Sequence, residues 1–312
     1  MGPVAMGAKS IIRPARPDDR SAVERICAHT WEWGDYIPEV WDEWLADKRG
    51  VLQVGEMDGH VLAVNRLIFQ SPDEVWLEGM RVDPDHRREG IGWQFMKHDL
   101  AYARDHGAKV ARLATGHSNT AVQAMVARVG MVRIGAAQLL VAEALPDGTQ
   151  LAILGPDDAP RVATFLQHSS VLAHTHGLYD AGWVWTALSA SRVAELLAAG
   201  QMAALLTPEG ELAALAVVSI DPEGGGMWVG YADAEPQRAA GRPEAVTTLA
   251  TALRAHAAKV GSPQVEAMLP DLAWLRDAFR AAGYEQGDWK GELWIFERRF
   301  DEDTTESQRI TG

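Results

Sequence analysis

A glycine-containing loop carries the residues of this chain that are best suited to chemistry. In "VDPDHRREGIGWQFM", residues 82–96, a strand-like segment ends in a turn, glycines follow at 90 and 92, and an amphipathic helix begins. Backbone N–H groups at the start of a helix have no helical acceptor, and the helix dipole adds a favourable potential for an anion. The N–H groups of Arg88, Gly90, Gly92 and Trp93 can therefore face a ligand. The pattern predicts a diphosphate-binding loop.

The loop differs from two common nucleotide-binding motifs. No Gly-Lys-Ser/Thr follows it, as a Walker loop requires, and the third glycine of the Rossmann GxGxxG fingerprint is missing. Taken as a bare glycine loop, it can also be an ordinary helix N-terminus, so the surrounding elements decide between the two interpretations.

The stretch "TWEWGDYIPEVWDEW", residues 30–44, combines aromatic and acidic side chains. It contains four of the twelve tryptophans and five carboxylates, with no basic residue. Trp41, Trp44 and Leu45 have the spacing of one helix face, which predicts that they pack in the core. Trp31, Trp33, Asp35 and Tyr36 lie in less regular surroundings before that helix. Aromatic faces beside carboxylates favour binding of an ammonium group.

The elements that must position these residues occur twice. Trp76 and Pro84, eight residues apart, recur as Trp228 and Pro236, and each pair follows an alternating aliphatic strand pattern. A helix, a strand and a second helix come next in both copies. Trp76 is 54 positions before Gly130, and Trp228 is 55 before Gly283. The chain is therefore predicted to contain two copies of one α/β unit, with a boundary near "EALPDGTQ", residues 143–150.

This organisation predicts an α/β (α+β) fold class with two domains, each a mixed and mostly antiparallel sheet flanked by helices. The predicted ranges are 1–8 disordered, 9–145 the first domain, 149–300 the second domain and 301–312 a disordered tail.

Composition restricts the classes of partner. The formal net charge of −14 opposes binding of a phosphate backbone, so neither DNA nor RNA is an expected partner. Hydrophobic residues make up 47% of the chain, but no apolar run reaches a bilayer-spanning length, so no membrane association is expected. The single cysteine, Cys27, excludes an intramolecular disulfide and a multi-cysteine metal site, and no metal is expected. No secretory signal or myristoylation site is read in "MGPVAMGAKS", and a cytoplasmic location is the expectation.

The loop and its neighbours resemble the GNAT superfamily of N-acetyltransferases. Residues 87–92, "RREGIG", fit that superfamily's Arg/Gln-x-x-Gly-x-Gly/Ala signature. The preceding "VDP" and the later "SNTAVQAMVARVGM" are similar to its flanking elements. The resemblance covers residues 9–144 well and 149–300 more faintly, which is typical of a tandem GNAT protein with a degenerate second copy.

The resemblance implies acetyl-CoA as co-substrate. The backbone of Met80 and Val82 would bind the thioester carbonyl and the pantetheine arm, with Met80 acting in the manner of an oxyanion donor. Asn119 would also touch the pantetheine. The loop that would hold the pyrophosphate consists of Arg87, Arg88, Glu89, Gly90, Ile91, Gly92 and Trp93.

Two departures from the family pattern bear on function. Where many members have a tyrosine that protonates the leaving thiolate, this chain has Val126, and a dedicated acid is absent there. His117 and Ser118 are alternative helpers, although a His at a strand end is more often a bystander. In the second copy only one glycine remains in "PQRAAGRPEAV", and Pro243 removes an N–H donor, so we expect no coenzyme there.

Glu78 is the candidate general base on the acceptor side, because an attacking amine must be neutral. Strand alternation is expected to put Trp76, Glu78 and Met80 on one face. The alternative is that Glu78 pairs with Arg66 or Arg81 as plain structure. The predicted acceptor contacts are Trp31, Trp33, Asp35, Tyr36 and Trp76.

The resulting hypothesis is an N-acetyltransferase that acts on a small, cationic primary amine by direct attack in a ternary complex. A protein N-terminus or lysine stays open as the acceptor. A rival hypothesis is an acyl-CoA-binding sensor or scaffold without turnover. The sequence does not fix the oligomeric state, and a homodimer stays open.

Overall fold

The computed structural model describes residues 10–28, 30, 34–220, 225–235 and 242–300. The chain divides into two compact units, each taken here by itself. The first unit comprises residues 1–113, 120–132 and 296–312, and the second comprises 114–119 and 133–295.

The first unit is a sheet covered by helices. Its strands are β1 (Ser10–Pro14), β2 (Gly50–Met57), β3 (His60–Ser71), β4 (Glu74–Val82) and the first part of β5 (Val110–Gly116). Its helices are α1 (Arg20–Cys27), α2 (Ile37–Ala46), α3 (Ile91–Asp105) and α4 (Thr120–Arg128). The strands pair in the order β1-β2-β3-β4-β5, antiparallel except for the parallel β4–β5 pair.

The second unit repeats this plan. Its strands are β6 (Val132–Glu143), β7 (Ala152–Ile153), β8 (Leu178–Asp180), β9 (Trp185–Ala187), β10 (Met202–Leu206), β11 (Leu212–Ile220), β12 (Met227–Ala234), β13 (Gln264–Pro270) and β14 (Glu285–Gln286). Its helices are α5 (Ala159–Gln167), α6 (Ser170–His174), α7 (Ala190–Ala198), α8 (Arg242–Lys259) and α9 (Ala273–Ala281). The main sheet has the order β6-β13-β12-β11-β10-β7, and β8 pairs with β9 separately.

The predicted repeat is confirmed at the level of strand pairing. In the first unit the parallel pair runs from Glu74 opposite Val110 to Trp76 opposite Arg112. In the second it runs from Met227 opposite Val265 to Val229 opposite Ala267. In each copy a long helix, α3 or α8, connects the two strands of the parallel pair, and a second helix, α4 or α9, follows, in the order that the sequence predicts. The mixed, mostly antiparallel sheets agree with the predicted fold class.

The two units interleave along the chain. Residues 133–143 of β6 belong to the second unit, whereas Phe296 and the residues after it belong to the first. The last strand, β15 (Leu293–Arg299), thus ends in the first unit, where Glu297 accepts from Arg112 Nε at 2.7 Å. The predicted domain boundary near residue 145 stays a prediction. The predicted disordered ends lie outside the described residues.

Two apolar layers enclose the first sheet. On one face Trp41 and Trp44 of α2, which are 1% and 6% exposed, pack with residues of α1, β2 and β3. This confirms the prediction that they are core residues, and Leu45 packs against the same layer. On the other face Phe95 of α3 packs with Ala63, so that α3 and its preceding loop are held against the sheet.

Among the described residues, no helix combines the length and the apolar character needed to cross a bilayer.

Candidate active site

The predicted phosphate loop connects β4 to α3. Asp83 accepts a hydrogen bond from Asp85 N at 2.9 Å, which closes a short 3-10 turn over Pro84–His86. Arg88 and Gly90 then adopt left-handed conformations, with φ of 68° and 86°. Gln94 N donates to Gly90 O at 3.0 Å as the first helical hydrogen bond. The N–H groups of residues 91–93 precede that bond, so they are the donors that a helix leaves unpaired at its start.

The conformation of Gly90 explains why glycine stands there. A Cβ placed on Gly90 meets nothing within 4 Å, so no neighbouring atom of the protein excludes a side chain. The positive φ is what disfavours other residues. The loop is exposed on this side, and the left-handed conformations of Arg88 and Gly90 just before a helix N-terminus are a feature of backbone anion sites. The arrangement fits a diphosphate.

Cationic side chains surround the start of α3. Arg87 Nε donates to Val82 O at 3.3 Å, which places its guanidinium beside the end of β4. The Trp93 ring lies under the Arg128 guanidinium at 4.2 Å and under Lys97 Nζ at 5.6 Å. These positive charges offset the acidity of the chain locally and favour an anionic ligand.

A β-bulge in β4 changes which side chains share a face. Arg66 of β3 lies opposite Glu78, but Val64 lies opposite Arg81, so β4 has one extra residue between these pairs. Gly79 occupies the bulge with φ of 68°, and a Cβ there would lie 2.8 Å from the Trp44 ring. The bulge requires glycine for both its backbone conformation and this close approach.

The expectation that Trp76, Glu78 and Met80 share one face is therefore wrong. Simple alternation fails because the extra residue at Gly79 shifts the pattern by one. Met80 and Val82 pack on the α3 side. Glu78 and Arg81 both point to the α2 side, where Glu78 pairs with Arg66 and the Arg81 guanidinium lies over Tyr36. A backbone role for Met80 is unaffected, since it does not depend on the direction of the side chain.

β4 extends beyond its parallel pairing with β5. In the described part of the chain, the β4–β5 pairs end at Trp76 opposite Arg112, whereas β4 continues to Val82. Unpaired strand edges bind extended chains through backbone hydrogen bonds. The pantetheine arm of coenzyme A contains amide groups, so this segment, which includes Met80 and Val82, fits that arm.

Glu78 lies in a buried ion-pair network. Arg66 Nη1 donates to Glu78 Oε1 at 2.8 Å, and Arg66 Nη2 donates to Asp47 Oδ2. The alternative that Glu78 pairs with Arg66 is confirmed. Burial raises the pKa of Glu78, and the Arg66 charge partly offsets this. Glu78 Oε2 accepts no hydrogen bond from the described part of the chain, so pairing and a role as base are compatible.

Asp35 is paired with Arg81. Arg81 Nε donates to Asp35 Oδ2 at 2.6 Å, and the Asp35 side chain is fully buried. Its carboxylate thus neutralises Arg81 instead of facing open surface. Tyr36 is 41% exposed, and its ring contacts Trp44 edge-on with centroids 5.8 Å apart. Of the described residues predicted to contact the acceptor, Tyr36 is the one that a ligand can reach directly.

The remaining predicted site residues differ in accessibility. Trp76 is 3% exposed, so its burial argues against the predicted contact with an acceptor. Trp31 and Trp33 lie outside the described residues. Asn119 immediately precedes α4 and is exposed, with its Nδ2 donating to Thr115 Oγ1 at 3.1 Å. Val126 is fully buried within α4.

A buried polar cluster that our sequence reasoning missed holds α3 in place. Asp99 of α3 is 1% exposed and accepts from Gln53 Nε2 at 3.1 Å and from Asn65 Nδ2. Burial raises the pKa of Asp99. Asn65 lies on β3 between Val64 and Arg66, whose register partners on β4 lie on either side of the bulge. The available signal was the presence of polar residues, Gln53 and Asn65, inside apolar strand runs.

In the second copy, the segment that corresponds to the phosphate loop falls on residues 236–241, outside the described residues. The following helix begins at Arg242, whose Nη2 donates to the fully buried Asp233 at 2.6 Å. This arginine is thereby occupied by an internal ion pair. Absence of coenzyme binding in this copy stays a prediction.

Comparisons with known proteins agree with the geometry. Residues 21–131 match the model of the Acetyltransferase (GNAT) family. A GCN5-related N-acetyltransferase from Sphaerobacter thermophilus has 17% sequence identity and a TM-score of 0.61, with 93% of this chain and 95% of that chain covered. A tandem GNAT protein from the clavulanic acid biosynthesis pathway has 16% identity and a TM-score of 0.59, with 93% and 98% covered. A comparison with curated proteins gives no significant match.

At these identities the solved structures establish the fold. Residues 21–131 match the model of the GNAT acetyltransferase family, and the chain has the tandem GNAT fold.

Proposed function

We propose that the protein is an acetyl-CoA-dependent N-acetyltransferase that acetylates the primary amine of a small, cationic molecule by direct attack in a ternary complex. The observation that carries this proposal is the loop at residues 87–92, in which left-handed Arg88 and Gly90 precede the unpaired N–H groups of α3. The loop follows a strand whose edge beyond Trp76 can accept an extended arm.

In the proposed complex, backbone groups bind the pyrophosphate and the pantetheine arm of the coenzyme. The N–H groups at the start of α3 hold the pyrophosphate, and Arg87, Arg88 and Trp93 line that end. The edge of β4 holds the pantetheine arm, with Met80 and Val82 contributing backbone groups and Asn119 a side-chain amide. When bound, acetyl-CoA supplies an acetyl group activated as a thioester.

Glu78 prepares the acceptor. An ammonium group has no lone pair, so a proton must leave before or during attack. Glu78 Oε2 accepts this proton while Arg66 holds Oε1, and the raised pKa makes the carboxylate a stronger base than an exposed glutamate. The amine nitrogen then bonds to the acetyl carbon, the carbon–sulfur bond breaks to release CoA thiolate, and the second proton leaves the nitrogen for the thiolate or for solvent. With buried Val126 in place of a tyrosine, the thiolate leaves without a dedicated acid, which its ordinary pKa near 8.5 permits.

The first test measures binding and turnover separately. Calorimetric titration of the full chain with acetyl-CoA should give one site per chain, and a panel of polyamines, amino sugars and amino acids should identify amines that release free CoA thiol. Thiol release with none of these amines, but with a lysine-bearing or N-terminal peptide, would replace the small acceptor by a protein.

The rival function is acyl-CoA binding without turnover, and the buried Val126 is the observation that favours it. It predicts tight acetyl-CoA binding with no thiol release for any amine or peptide in the panel. Failure of acetyl-CoA to bind at all would contradict both functions.

A further inference from the structure

The second unit contains a cluster of three tryptophans that the proposed transfer has not yet used. Trp183 lies in the turn between β8 and β9, Trp228 on β12, and Trp289 after β14. The Trp183 ring centroid is 5.7 Å from that of Trp228 and 5.9 Å from that of Trp289. Trp183 is 39% exposed, and the other two are half-buried. The rings thus form an aromatic surface that solvent reaches at Trp183.

The backbone of Trp183 is strained. Its φ of 65° is unfavourable for a residue with a bulky side chain. Asp180 stabilises the turn, because its Oδ1 accepts from Gly182 N at 3.0 Å and from Trp183 N at 3.1 Å. A turn under no other requirement would have glycine or asparagine at such a position. The strain keeps a large aromatic ring at the surface, where it gains little from burial.

Asp180 also lies at the edge of the cluster. Trp228 Nε1 donates to its Oδ1 at 2.6 Å, so this oxygen accepts three hydrogen bonds. Oδ2 is buried and has no hydrogen-bond partner in the described chain. No arginine or lysine in the described ranges pairs with Asp180. A buried carboxylate with one unpartnered oxygen is costly, and a cationic donor would satisfy it.

Trp289 extends the cluster toward the end of β5. Its Nε1 is buried and lacks an acceptor among the described residues. Its ring lies 3.2 Å from the position of a Cβ on Gly116, the last residue of β5. Asn119, which is assigned above to the pantetheine arm, follows three residues later and donates from its backbone N to Gly116 O at 2.9 Å. The cluster therefore adjoins the turn that follows β5.

We infer that Trp183, Trp228 and Trp289, together with Asp180, form a binding site for an organic cation. Aromatic faces attract ammonium groups through the ring quadrupole, and a nearby carboxylate adds charge complementarity. The unpartnered Trp289 N–H can donate to an acceptor atom of the same ligand.

The inference explains the second copy of the repeat. Trp228 stands where the first copy has Trp76, but Trp76 is buried and Trp228 is half-buried against an exposed partner. The second copy would thus contribute a cation site that the first copy lacks.

Binding of choline and of its uncharged carbon isostere, 3,3-dimethylbutan-1-ol, to the full chain tests the cation site. Tryptophan fluorescence and calorimetry should detect choline binding, and the isostere should bind at least about tenfold more weakly, because only the charge differs. Equal binding of the two probes, or no choline binding up to the solubility limit of the protein–ligand mixture, would overturn the inference.

Trp183→Gly is the decisive variant, since glycine removes the ring and relieves the positive φ. It should lose choline binding about tenfold or more, keep acetyl-CoA affinity and unfold at an equal or higher temperature. Trp274→Ala is the matched control, because Trp274 stacks with Arg242 in the same unit but is not part of the cluster. Unchanged choline binding in Trp183→Gly would refute the site.

Binding and turnover separate this inference from the proposed function. If choline binds at the cluster but no amine or peptide releases CoA thiol, the cation site stands and the proposed transfer fails.

Discussion

Arg66 and Glu78 are register partners on β3 and β4, and Arg66 Nη1 donates to Glu78 Oε1 at 2.8 Å. Arg66 also donates to Asp47, and its guanidinium lies 4.8 Å from the Trp44 ring centroid. A cation fixed in this way stabilises the ionised form of Glu78 in spite of burial. Arg66 binds Oε1 of Glu78, so Oε2 is the oxygen that would accept a proton in the proposed transfer.

Glu78→Gln should lower kcat by roughly 10², the usual contribution of a general base, with little change in acetyl-CoA affinity. In the wild type, the acid limb of the kcat/KM profile should lie above the ordinary glutamate pKa of 4.5, because burial raises the pKa of Glu78. The ionised base is present only above that pKa, so activity falls as the pH drops through it. The limb should disappear in the variant, and the rate should partly recover at high pH.

Glu56→Gln is the control for this experiment, since it removes a carboxylate that pairs with Arg13 on the far edge of the same sheet. Wild-type kcat in Glu78→Gln at neutral pH would remove Glu78 from the mechanism.

Gly90→Ala should weaken acetyl-CoA binding, because alanine disfavours a φ of 86° by about 1–2 kcal/mol and the loop would relax away from the anion-binding conformation. Gly107→Ala is a matched control, with φ of 89° and no neighbour within 4 Å of a Cβ. The two variants should lose similar stability, and only Gly90→Ala should change the dissociation constant measured by calorimetry. Equal affinities would show that the loop does not bind the coenzyme.

Gly79→Ala should destabilise the protein by about 2–4 kcal/mol, from the clash with Trp44 together with the unfavourable φ. Trp44→Phe removes the ring atoms that clash, so the double variant should be more stable than the sum of the two single effects predicts. Denaturant unfolding of all four proteins measures this coupling. Additive effects would mean that the bulge, and not its contact with Trp44, requires glycine.

Trp41→Ala should cost about 3–5 kcal/mol of stability, since its ring is 1% exposed and its removal leaves a large cavity. Tyr36→Ala should leave stability nearly unchanged and raise the KM of the amine, because Tyr36 is 41% exposed beside the Arg81–Asp35 pair. Thermal unfolding and amine kinetics on both variants check this division. A large loss of stability in Tyr36→Ala with unchanged kinetics would make Tyr36 a packing residue.

Asp180 should make the second unit less stable as the pH rises. Burial raises the pKa of Asp180 from 3.8 to about 7. The neutral form is thus favoured in the folded state, and its stabilising contribution is full below pH 3.8 and is lost as the pH rises to about 7. The unfolding midpoint of the wild type, after subtraction of the midpoint of Asp180→Asn, should decrease as the pH rises from 4 to 7 and then stay constant. A difference that does not change over this range would contradict the raised pKa.

The sequence by itself determined the repeated α/β plan, the loop at residues 87–92 and the buried face of α2. These features depend on local spacing: glycines at a strand-to-helix turn, tryptophans three residues apart, and equal distances between successive elements in the two copies. Such patterns can be read from the sequence because they depend only on the periods of the helix and the strand.

Only the tertiary structure decided the direction of Glu78 relative to Met80, the pairing of Asp35 with Arg81, and the assembly of Trp183, Trp228 and Trp289 around Asp180. One extra residue at Gly79 reverses the faces of β4, and alternation alone does not reveal it. The ion pair joins Arg81 to Asp35, 46 positions away, and the cluster joins Trp228 to Asp180, 48 positions away. Contacts between distant segments depend on how whole elements pack, and this information is absent from the spacing of neighbouring residues.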